Sequence, residues 1–142
     1  YHSPTQLYGT QLMDWYLDSG AYGLRVFALS FYDGRILQAA AFLSNFMARF
    51  GDILAKHTRH DDWAQTDSES VKARVLVSEG DRNRLVVVSN NSGESVQATA
   101  TIAGIEQGWS ARLYPSGENL ADPARASLTL APWSVQAVEL AR

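Results

Sequence analysis

Tyr32, Asp33 and Arg35 are the residues of this sequence whose types best suit chemistry with a sugar. An aromatic ring can stack on the apolar face of a pyranose, and a carboxylate and a guanidinium can bind its hydroxyls. The three fall in Ser30-Phe31-Tyr32-Asp33-Gly34-Arg35, just after an apolar run. In layered α/β folds, ligands gather at the C-terminal ends of the strands, so the address fits a binding subsite. The same residues also suit an ordinary strand-to-helix loop, with Asp33-Gly34 as turn residues and helix cap.

Other constellations carry weaker chemistry. Glycoside hydrolysis needs two carboxyl groups about 5 Å apart for retention, or further apart for inversion. Asp14 and Asp18 are one helical turn apart and Asp61 and Asp62 are adjacent, but a presumed outer helix and a polar connector make both pairs solvated charges. His57, His60, Asp61 and Asp62 have a loose metal-like spacing without a distant further ligand, and read as a polar helix end. Trp63, Trp109 and Trp133 suit either a carbohydrate platform or the packed edge of a core, and their apolar neighbours favour packing. Asn90-Asn91-Ser92 matches a glycosylation sequon. Nucleophile elbow, phosphate loop and dinucleotide fingerprint are absent from the sequence. No catalytic residue, metal ligand or cofactor is assigned.

Bulk properties narrow the classes. The 142 residues suffice for one ordinary domain or two small units, and fall short of the roughly 250 of a complete (β/α)8 barrel. With 46% hydrophobic and 19% charged residues the chain can bury a core. A net charge of −3 without a basic run argues against nucleic acid and anionic membrane as partners. The absence of cysteine removes disulfides and thiolate metal sites.

The elements that must position these residues fall into two kinds. Ser3-Pro4-Thr5-Gln6 forms a capping box for a helix reaching about Asp18, with Tyr8, Leu12, Trp15 and Tyr16 on one stripe. Ser19-Gly20 stops it. Residues 24–31 are apolar almost throughout, as in a parallel strand covered on both faces. Residues 36–56 carry a wide apolar stripe through Ile36, Ala40, Leu43, Met47, Phe50 and Leu54, which suits a helix packed on two neighbours. Gly51 within it allows a close approach or ends the helix early. The rest is β-rich: Val96, Ala98, Ala100 and Ile102 alternate with polar residues, and Leu85-Val86-Val87-Val88 is more fully buried. Turn residues at Glu79-Gly80-Asp81 and Asn90-Asn91-Ser92-Gly93 separate the strands.

The order of these pieces resembles the C-terminal end of clan A glycoside hydrolases, the β-galactosidase-like and related β-glycosidase families. Phe42, Phe46, Arg49-Phe50-Gly51-Asp52 and Leu54 look like the helix that leads out of such a barrel. Asn83-Arg84-Leu85-Val86-Val87-Val88-Ser89-Asn90 is similar to a strand of their sandwich domains. Leu130-Ala131-Pro132-Trp133-Ser134-Val135 is similar to the closing strand of many accessory domains, including those of α-amylase-like enzymes. The resemblance implies an α+β chain: the last helix, strand and helix of a (β/α)8 barrel over residues 1–57, a connector over 58–70, and a small antiparallel β-sandwich over 71–142. It implies catalytic carboxylates upstream of Tyr1, a carbohydrate substrate, and a second polypeptide or upstream segment carrying the rest of the barrel. The rival expectations are a non-catalytic carbohydrate-binding or interaction sandwich and an α-amylase-type tail.

Overall fold

The computed structural model describes Thr10, Leu17, Asp18 and residues 34–142, with backbone alone over 34–40. The expected barrel strand at 24–31 and most of the first helix lie outside the described residues, although Thr10, Leu17 and Asp18 are helical. Helix α1 (Gly34–Arg49) and the short α2 (Gly51–Ala55) precede nine strands. These are β1 (Thr58–Arg59), β2 (Ala64–Thr66), β3 (Val71–Val77), β4 (Asn83–Asn90), β5 (Val96–Ile102), β6 (Ser110–Tyr114), β7 (Asn119–Leu120), β8 (Arg125–Leu130) and β9 (Val135–Ala141). The described part is therefore β-rich, and every strand pairing in it is antiparallel. No helix of the described residues is long and apolar enough to cross a membrane.

The strands form a six-stranded sheet, β1-β3-β4-β9-β6-β7, and a three-stranded sheet, β2-β5-β8. Between them lies one apolar core of Val75, Val86, Val88, Ala126, Leu128, Leu130, Val138 and others. The side chains of β5 and β8 alternate as expected, inward at Ala98, Ala100, Leu128 and Leu130, outward at Gln97 and Thr129. The large sheet is buried on its other face as well. There Leu76, Leu85, Val87, Val135 and Ala137 meet Leu43, Phe46, Phe50 and Leu54 of the helices, together with Leu17. Double burial explains why Leu85-Val86-Val87-Val88 is apolar at every position. Even-numbered residues face the small sheet and odd-numbered ones the helices.

Aromatic rings make the helix–sheet seam. Tyr114 of β6 sits edge-on to Phe50 at 5.1 Å and Phe46 at 6.1 Å, and is tilted against Phe42 at 5.9 Å. Such pairs add to the area they bury. The expected helix over 36–56 instead breaks at Phe50, where φ is −111° and ψ is 22°. Gly51 marks the break rather than a close approach, since nothing lies within 4 Å of where its Cβ would stand.

The stretch 58–70 differs from a simple connector. It supplies β1 to one sheet and β2 to the other. Its polar composition has a physical reason: Asp61 Oδ1 accepts the Val75 amide at 3.0 Å and Asp67 Oδ1 accepts the Thr99 amide at 2.8 Å. Carboxylates here continue the ladders where short edge strands stop.

Phe46 is fully buried in this seam, whereas Ser44 on the same helix is exposed. Phe46→Ala should therefore destabilise the protein by about 3–5 kcal/mol, and Ser44→Ala by less than about 0.5 kcal/mol. Urea unfolding measures both, and equal midpoints for the two variants would contradict the helix packing.

Candidate functional site

The most concentrated polar chemistry lies where the outer face of β3 meets the helical residues Leu17 and Asp18. Strand alternation turns Arg74 away from the inter-sheet core and under the helices, where it is 0% exposed. Its Nε donates to Asp18 Oδ1 at 2.9 Å and its Nη2 to Asp18 Oδ2 at 3.1 Å, a two-pronged pair. Nη1 reaches Ser89 Oγ on β4 at 3.2 Å. Lys72 Nζ donates to Asp18 Oδ2 at 3.1 Å and Arg59 Nη2 to Oδ1 at 3.2 Å. Arg59 also donates to the Leu17 carbonyl at 2.7 Å and clasps Asp61 at 2.9 and 2.6 Å.

This network fixes the charge state of its members. Burial alone would raise the Asp18 carboxyl, but the hydrogen bonds from Arg74, Lys72 and Arg59 hold it well below the usual carboxylate range. Asp61 behaves alike: burial opposes ionisation, while Arg59 and the Val75 amide prevail and lower it. The bond to Asp61 raises Arg59 further above neutrality. Asp81 is lowered chiefly by its bond to Arg84. Carboxylates held ionised in this way cannot deliver a proton to a leaving group near neutral pH.

The expected positions fare differently. Tyr32 and Asp33 lie outside the described residues, as does Asp14, and Arg35 falls in the first turn of α1. Asp18 and Asp61 are not merely solvated, as their spacing suggested; cations that the sequence pattern did not assign to them surround both. His57 donates from Nδ1 to the Ile53 carbonyl at 2.8 Å, at the end of α2. His60 stacks on Trp63 with ring centres 4.0 Å apart. Among the described residues no three His, Asp or Glu side chains are placed to hold a metal ion.

Trp63 and Trp109 border the inter-sheet core, and both take the Arg84 guanidinium over their rings, at 4.5 and 5.1 Å. Arg142 lies over Trp109 at 4.9 Å. Asp81 receives Arg84 at 2.8 Å through both carboxylate oxygens. The result is a ladder of His60, Trp63, Arg84, Trp109 and Arg142 that closes one end of the sandwich. Rings covered in this way pack the fold and do not offer a free platform. The sequon asparagine, Asn90, is also fully buried. Its Nδ2 donates to the carbonyls of Glu94 at 2.8 Å and Ala131 at 3.1 Å, and its Oδ1 accepts from Ser92 Oγ at 2.9 Å.

Two open clefts flank the turn between β3 and β4. One, of about 450 Å³, lies between α2 and β4, over Phe50, Ile53 and Leu85. The other, of about 550 Å³, lies beside His57, His60, Trp63 and Val77. Lys56, Ser78 and Glu79 line both. An ion pair of 2.9 Å between Lys56 and Glu79, with side chains 73% and 76% exposed, spans the ridge between them. At that exposure it is a weak tie.

No family model matches the chain, and no curated protein matches it. Among solved structures, 75% of the chain is similar to part of a trehalose-6-phosphate hydrolase of Bacillus licheniformis, with 19% identity and a TM-score of 0.49. Over 55% of its length it is similar to part of a xyloglucanase of glycoside hydrolase family 44 from Paenibacillus polymyxa, with 19% identity and a TM-score of 0.42. The chain spans 18% of each of those proteins.

Asp18→Ala takes from the buried Arg74 its carboxylate and should destabilise the protein by about 3 kcal/mol or more. Adding Arg74→Met should recover part of that loss, and strictly additive effects in denaturant titrations of the four species would refute the pairing. The depressed carboxyls also set a pH dependence. The folded state takes up protons less readily than the unfolded chain, so their contribution is complete above the ordinary carboxylate value of about 4 and is lost as pH falls below it. Denaturation midpoints should hold at mildly acidic pH and drop below about pH 4, less steeply in Asp18→Asn; a flat profile down to about pH 2 would contradict the network.

Proposed function

We propose that this chain is the C-terminal part of a glycoside hydrolase, in which the two-sheet unit braces the last helices of a (β/α)8 barrel. The observation that carries this reading is the buried, two-pronged Arg74–Asp18 pair, which anchors the helical side to the outer face of the large sheet. Together with the Phe46–Phe50–Tyr114 seam it makes the junction a packed interface. Such a junction suits a brace better than a sandwich tethered by a free linker. The resemblance of the helix around Arg49-Phe50-Gly51-Asp52 and of the closing strand to β-glycosidase tails supplies the activity.

In this reading, two carboxyl groups of the upstream segment carry out glycosidic cleavage, one as acid and one as nucleophile or base. Tyr32, Asp33 and Arg35 line a sugar subsite at the rim of the barrel, the ring stacking and the charged groups binding hydroxyls. Asp18, Asp61 and Asp81 stay ionised and structural. The substrate is an oligo- or polysaccharide, and no cofactor takes part. The rival reading, a self-standing sandwich that binds sugars on exposed tryptophans, is disfavoured by the cations and histidine that cover Trp63 and Trp109.

The test uses the full polypeptide that contains this chain, assayed on a panel of aryl glycosides and neutral polysaccharides. Reducing ends should be released. Deleting residues 58–142 should lower soluble yield and activity at least tenfold, and Asp33→Ala should raise KM more than it lowers kcat. A full polypeptide without glycosidase activity, or a truncated one as active and stable as the whole, would overturn the proposal.

A further inference from the structure

We draw no further inference here: the strongest candidate, the surface patch of exposed small residues Ala41, Ser44, Ala48, Gly51 and Ala55 on α1 and α2, carries no proposal because nothing in the structure shows what covers it.

Discussion

A guanidinium buried beneath two helical residues is the constraint on which the junction depends. Arg74 has no exposed surface, and a bare charge there would be untenable in a low-dielectric seam. Asp18 answers it with both carboxylate oxygens, and the same carboxylate also binds Arg59 and Lys72 at the edge. The arrangement dictates geometry in a way that apolar packing does not. Phenylalanine rings tolerate a sliding helix, whereas two parallel N–H···O bonds fix where Asp18 must stand over β3. Arg59 carries the same logic onward by holding the Leu17 carbonyl and Asp61 together, and Asp61 in turn caps the Val75 amide.

The large sheet thus serves two cores at once. Its strands alternate between an inner face that meets β5 and β8 and an outer face that meets α1 and α2. Changes at Val87 and Val86 act on different packing problems although the residues are neighbours in sequence. The inner core closes at one end through the Trp63–Arg84–Trp109 stack, where cationic side chains occupy ring faces that would otherwise meet water.

Much of the β-rich half was legible from alternation alone. Val96, Ala98, Ala100 and Ile102 announce a half-buried strand, and the turn residues around Gly80 and Asn91 place its neighbours. The doubly apolar β4 was legible as a buried strand because no position between Leu85 and Val88 is polar. What escaped was long-range. Arg74 interrupts an apolar strand, which is a signal of a buried partner, but nothing local names a carboxylate 56 positions away. β1 and β2 are two and three residues long and polar, so their membership of the sheets comes only from pairing with distant strands. The break at Phe50 was legible in part, because Gly51 offered an early end to the helix. Of the residues proposed for a sugar subsite, Tyr32 and Asp33 lie outside the described residues and Arg35 is seen only as backbone in a helical turn.

Asn90 shows how a short motif can be present and yet closed by the fold. Its amide nitrogen is committed to main-chain carbonyls of two different loops, Glu94 after β4 and Ala131 after β8, and the residue has no exposed surface. Attachment of a glycan to that nitrogen would forfeit these bonds and is incompatible with the buried place of the side chain in this fold. In a secretory compartment, transferase and folding would compete for the same atom.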